Sequence, residues 1–201
     1  MVFGLTGLSN AALILNDDLI TVTETRGEAS TLMWTRDANL ADTLGWTPPP
    51  DGGTRGNGIM NWAGANAWID YLNSIQYAGY DDWRLPYTQP NNGVSYHPDF
   101  WNIGYDGTNE HGYNVTNPNS EMAYLFNELG NIHYFPTDYT GPSNPGDPPD
   151  PDFYSGQEGW EIIYSGPYFE NIQAGFYWSE YNIPEGIPEG WAWSFNFQDG
   201  Y

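Results

Sequence analysis

Cysteine is absent from this 201-residue chain, which excludes disulfides, thiolate zinc sites and thiol nucleophiles. The domain must hold itself by packing, with or without a metal. Lysine is absent too. Arginine supplies all four cations against 26 acidic residues, for a net charge of -22. Such a balance repels phosphate backbones and anionic membranes, whose recognition needs clustered Lys and Arg. It attracts divalent cations, and hard oxygen ligands favour calcium. It also keeps copies of the chain apart until salt or calcium screens them. No apolar run is long enough to span a membrane. The opening MVFGLTGLSNAALIL has no basic residue, and Gly4, Gly7 and Asn10 interrupt it, so it does not read as an intact signal peptide.

Aromatics, by contrast, are abundant. They make up 17% of the chain, with 10 Trp and 16 Tyr, far too many for a disordered acidic polypeptide. With 24 Gly and 16 Pro, the composition suits a loop-rich β or α+β fold. The length suits one domain with a real core.

Along the chain, LITVTE (19–24) places β-branched residues at alternate positions and predicts a strand. TLMWT (31–35) predicts a second. TPPPDGGTRGNG (47–58) reads as loop by every turn signal. Asn61 then opens a helix in which Trp62, Ala65, Trp68, Ile69, Leu72 and Ile75 form one apolar stripe, with Gly79 past its end. Residues 87–118 are polar and irregular. A second helix is predicted from about Ser120 to Leu129, with Met122, Leu125, Phe126 and Leu129 on one side and Gly130 as its stop. The proline-rich run 141–152 is a loop. GFYWSEY (175–181) and GWAWSFNFQDG (190–200) predict two antiparallel strands joined through a duplicated IPEG turn. In the second, Trp191, Trp193, Phe195 and Phe197 share a face. No βαβ unit occurs, so a parallel sheet is not expected, and no clear linker divides the chain.

Taken together, TLMWTRDAN, NWAGANAWIDYL, AGYDDWRLP, SEMAYLFNELG, FYWSEY and WAWSFNFQDG resemble, in this order, the Lcl C-terminal domain family, named for a Legionella collagen-like protein. The resemblance covers roughly residues 18–201, with poorly matched loops at 47–58 and 141–170. It implies an α+β, C-type-lectin-like fold: two helices and a small antiparallel sheet with long loops. It also implies export to the cell surface of a Gram-negative bacterium, and some relatives are adhesins for sulfated polysaccharides. This chain departs from the family in lacking paired cysteines and a basic surface, and in stopping at Tyr201, right after the last strand.

Arg84 lies inside the motif DWRLP. Pro86 disfavours helix at Leu85, so the backbone is extended there and Trp83 and Arg84 point to opposite sides. In so acidic a chain the planar guanidinium is expected to find a carboxylate and backbone carbonyls. Arg84, with Trp83, is therefore read as a structural pin between the first helix and the later sheet. The alternative is a clamp on a ligand carboxylate or a sugar.

No catalytic residue is assigned. His97, His111 and His133 have no metalloenzyme spacing, no nucleophile elbow or P-loop occurs, and 26 acids make any carboxylate pair uninformative. Calcium is the cofactor expected, with Asp37, Asn39 and Asp42, or Asp81 and Asp82, as ligands; Asp147, Asp150 and Asp152 share the proline loop. The competing reading is that these acids cap helices, close turns or face water. Tyr87, Tyr96, Trp101, Tyr105 and Tyr113 offer glycan-stacking surfaces, or else order the long loops by packing. Asn114-Val115-Thr116 is an N-glycosylation sequon.

The apolar segment 1–17 precedes the expected domain, 18–201. Its Val2, Phe3, Leu5, Leu8, Leu13, Ile14 and Leu15 are expected either to dock into a neighbouring copy or to fold back on their own domain. The function expected is a non-catalytic extracellular subunit that self-assembles through this arm into a homo-oligomer, a helical filament or a surface layer. The alternative is a calcium-assisted, glycan-binding adhesin. Neither nucleic acid nor membrane insertion is expected.

Overall fold

The computed structural model describes residues 12–26, 30–94, 104–110, 112–139, 156–180 and 192–201. Over these the chain is a mixed α+β structure with three α-helices and three small antiparallel sheets.

The first sheet has the order β1-β2-β3, with β1 Ala12–Leu15, β2 Thr21–Arg26 and β3 Ser30–Thr35. Both strands expected from β-branched alternation are present. β1 was expected in the arm. Instead Leu15 pairs with Val22 and Ala12 with Thr25, so the domain's own sheet begins before Asp18. Asn16 opens the connecting turn by donating its N–H to the Thr21 carbonyl, and the Asp18 carboxylate accepts the Ile20 and Thr21 amides. Alternation along these strands makes two unlike faces. Leu13, Leu15, Val22 and Trp34 point into the core. Thr23, Thr25, Thr31, Met33 and Thr35 form the opposite face, which pairs threonine with threonine at Thr25–Thr31 and Thr21–Thr35.

Helix α1 is the single turn Leu40–Thr43. The stretch 47–58, expected to be loop, contains β4 Thr54–Gly56, which pairs with β5 Ile59–Met60 just beyond it in a small hairpin. Gly56 and Gly58 both take positive φ there, so glycines read as loop signals also serve a tight turn. Helix α2 spans Trp62–Ser74, and the Asn61 side chain caps it by accepting the Gly64 N–H at 2.9 Å. A short 3-10 turn, Tyr77–Gly79, follows it.

Helix α3, Glu121–Glu128, is the central element. Its Met122, Ala123, Leu125 and Phe126 meet Val22 of β2, and Phe195 and Phe197 around β7, in one buried cluster that also holds Val115 and Phe169. Strands β6 Phe176–Trp178 and β7 Ser194–Asn196 pair antiparallel, as expected, but are shorter than the sequence runs. Helix α2, which has the longer apolar stripe, buries only Gly64, Ala65 and Leu72. Its Trp68 and Tyr71 form a half-exposed group with Trp46 of the preceding loop, the Trp46 and Trp68 rings 5.3 Å apart and Trp68 stacked on Tyr71 at 5.7 Å.

Candidate functional site

A cleft of about 290 Å³ lies along the outer edge of β3. Thr31, Leu32, Met33 and Trp34 form one wall. Tyr80, Asp82, Trp83, Arg84 and Pro86 form the other, and Glu121 the floor.

The second wall is built by one asparagine. Asn73, in the last turn of α2, accepts the Trp83 N–H at 2.7 Å and donates to the Trp83 carbonyl at 3.0 Å, as a neighbouring strand would. The indole N–H of Trp83 reaches the Tyr77 carbonyl, and Tyr80 meets the Trp83 ring edge-on. Asn73 drew no notice in the sequence. Its place ten residues before Trp83 is a contact across a turn, not a motif.

Arg84 forms a bidentate pair with Glu121, Nη1 to Oε2 and Nη2 to Oε1, both at 2.8 Å. It also donates to the Leu85 carbonyl and lies 3.8 Å over the Tyr87 ring. Burial opposes its charge, but the Glu121 bonds and charge outweigh that and raise its pKa. The same Glu121 carboxylate accepts the Tyr87 N–H, while the Glu121 N–H reaches the Tyr87 carbonyl. Nearby, Pro86 O accepts the Glu180 N–H after β6, and the Thr88 and Ser179 hydroxyls are 3.2 Å apart. Arg84 itself thus pins its loop to the first turn of α3, which the expectation did not name, while Trp83 makes the expected contact with α2 through Asn73 and Pro86 bonds the chain after β6.

Behind the cleft lies a second arginine node. Arg26 pairs with Glu24 at 3.0 Å, donates to the carbonyls of Pro118 and Glu121, and packs over Tyr124. Trp34 brings its indole N–H to the same Glu24 carboxylate at 2.7 Å. Burial pushes the Glu24 carboxyl up, and the bonds from Arg26 and Trp34 offset this only in part. Trp34 is therefore fixed at the back of the cleft.

The β3 edge is open over this stretch. Arg36 donates its N–H to Ile20 O, so hydrogen-bonded pairs recur at Trp34–Val22 and Leu32–Glu24. The N–H and C=O groups of Thr31, Met33 and Thr35 then face away from β2, and no described residue pairs with them. Further along, Arg36 O and Ala38 N–H are taken by Glu170. An edge with unsatisfied main-chain groups beside an aromatic cleft suits an extended polypeptide. It does not suit a free anion, because Glu121 already holds the Arg84 charge.

The other expected sites do not converge on this cleft, apart from Asp82 and Trp83. Asp37 accepts the Asn39 N–H and the Thr43 hydroxyl, closing the turn around α1. Asp42 lies within that turn, and Asp81 and Asp82 are exposed. Among the described residues no three acidic or histidine side chains gather where they could hold a metal ion. Tyr87 serves Arg84. Tyr105 and Tyr113 stack on each other and pack edge-on to Phe135, and Tyr105 also meets Tyr139. Tyr96, Trp101, Val2, Phe3, Leu5 and Leu8 lie outside the described residues.

Asn114 corrects the sequon reading. It is buried at φ +60, and its amide donates to the Tyr105 and Phe135 carbonyls, so a folded chain presents no acceptor nitrogen there. Three expected assembly residues are also relocated. Leu13, Ile14 and Leu15 form β1, where Leu13 and Leu15 pack on the core and only Ile14 faces outward, at 51% exposure.

Compared with known proteins, the chain matches no family model, no curated protein and no solved structure.

Proposed function

We propose that the chain is a non-catalytic structural subunit, exported to the surface of a Gram-negative bacterium, that joins copies of itself into a filament or surface layer. The fold proposed with it is the C-type-lectin-like variant implied by its resemblance to the Lcl C-terminal domain family. One observation carries the reading. The sheet β1-β2-β3 has two edges that nothing in the described chain covers, and the apolar residues 1–11 lead directly into one of them. A chain of net charge -22 resists association, so contacts between copies need an uncharged connector. No charged residue precedes Asp17.

Light scattering and negative-stain micrographs of the full chain, across ionic strength, test this. Ordered polymers that grow with salt are the expected result. A monomer at every salt and protein concentration overturns it. Phe3→Asp should suppress the polymers and leave the thermal midpoint of the monomer unchanged.

A glycan-binding adhesin is the second reading. The half-exposed Trp46, Trp68 and Tyr71 group favours it, since adjacent solvent-facing rings suit sugar stacking. Calcium assistance would be seen on a glycan array read with and without chelator. Binding by monomers, lost on Trp68→Ala, supports this reading over the first.

A further inference from the structure

We infer that the cleft along β3 is the acceptor for residues 2–8 of a second copy of this chain, which enter as a fourth strand of the sheet. This rests on the self-assembly reading and names its site.

Three features select the occupant. The acceptor wants main-chain partners for Thr31, Met33 and Thr35, which an extended segment supplies and a folded surface does not. The wall beside those groups is apolar and aromatic, made by Leu32, Trp34, Tyr80 and Trp83. Its charges are Asp82, Arg84 and Glu121, the last two neutralising each other, so a segment free of acid is required. Residues 2–8 meet all three demands. They read VFGLTGL, with no charge and no proline.

Strand periodicity then assigns the faces. Phe3 and Leu5 share one side and enter the cleft against Trp34 and Trp83. Thr6 falls on the other side, where it continues the threonine face of Thr25, Thr31 and Thr35. Cysteine cross-links read this register directly, because the wild-type chain contributes no background thiol.

The test mixes two full-length single-cysteine chains under mild oxidation, with scattering recorded in parallel. One carries Thr6→Cys. The other carries Thr31→Cys, Met33→Cys or Thr35→Cys, all on the outer face of β3. Thr31 is exposed, so its variant remains informative if a Met33 variant folds poorly. A chain with Ile14→Cys, on the outer face of β1, is the control for the opposite edge. Adducts at least tenfold more abundant at one β3 position than at Ile14 are the expected result.

Adducts favouring Ile14, or none from chains that do polymerise, overturn the site and leave the assembly reading standing. Monomers that yield no adduct overturn both. Cross-linking found only within single molecules of a double variant, Thr6→Cys with Met33→Cys, shows an arm folded back and also overturns the inference.

Discussion

Arg84 lies flat against the Glu121 carboxylate, with both guanidinium-to-oxygen distances at 2.8 Å. The pair joins the loop after α2 to the first turn of α3, and Arg26 holds the same turn through the Glu121 carbonyl. Glu121 keeps only a tenth of its side-chain surface in water. Removing Arg84 leaves that carboxylate with the Tyr87 N–H alone. Arg84→Ala should therefore cost about 2 kcal/mol, below the range for a fully buried pair because Arg84 is a third exposed. Arg84→Lys should recover only part, since an ammonium cannot bond both oxygens in one plane. Urea midpoints of the three proteins check this, and equal midpoints would contradict it.

His133 sets an acid limit on stability. It is buried, accepts the Asn114 N–H at Nδ1, and donates from Nε2 to Asn127 Oδ1 at 2.9 Å. That arrangement is the neutral ring protonated on Nε2, so the Gly200 carbonyl 3.1 Å from Nδ1 is a close contact and not an acceptor. Burial pushes its pKa down to about 4. The unfolded imidazole titrates near about 6.5. Between those values the unfolded chain binds a proton that the folded chain refuses. The His133 contribution is therefore complete above about pH 6.5 and is lost as pH falls toward 4, by about 3 kcal/mol in all. Wild-type chain and His133→Gln, melted at intervals from pH 7 to pH 4, should differ in slope over that window alone.

Gly200 abuts the same ring. Its φ is +79, and a Cβ there would stand 2.9 Å from Phe126 Cε1 and nearer still to His133. Gly200→Ala combines backbone strain with a clash against the core helix. A loss of roughly 3 kcal/mol is expected, read as a lowered thermal midpoint. Gly45→Ala is the control, because its φ is also positive but nothing lies near its Cβ. It should cost only about 1 kcal/mol.

Asn114 should carry no glycan in native material, as intact-mass measurement would show. Asn114→Gln should destabilise the fold by about 2 kcal/mol. The longer side chain cannot bond the Tyr105 and Phe135 carbonyls from the same place, and it tolerates the left-handed backbone poorly. A mutant melting with wild type would contradict this.

Elements with strong local signals were legible in the sequence. Asn61 announced α2 because a cap is a contact over three residues. The β-branched run of β2 and the aromatic runs around β6 and β7 announced strands for the same local reason. β1 was not legible as part of the domain. AALIL has the same composition whether it pairs with β2 or with another molecule, and pairing is a long-range choice. Stripe length in the sequence does not tell which helix holds the core. The longer stripe belongs to α2, yet α3 holds the core because β2 and β7 both meet it.

The sequence alone determined the chemistry the chain has to work with: no thiol, no lysine, a heavy acidic charge, and aromatic loops that must pack to be ordered. It also determined that a lone arginine in DWRLP would seek a carboxylate. Only the tertiary structure decided which one. Glu121 lies 37 residues away, and no local rule links a loop to the first turn of a distant helix. Tertiary structure likewise placed Tyr105 and Tyr113 in an aromatic cluster, and opened the β3 edge beside Trp34 and Trp83. The reason is common to all three. Composition and periodicity say which face of a segment avoids water, but the segment that covers it is chosen by packing between parts of the chain far apart in sequence.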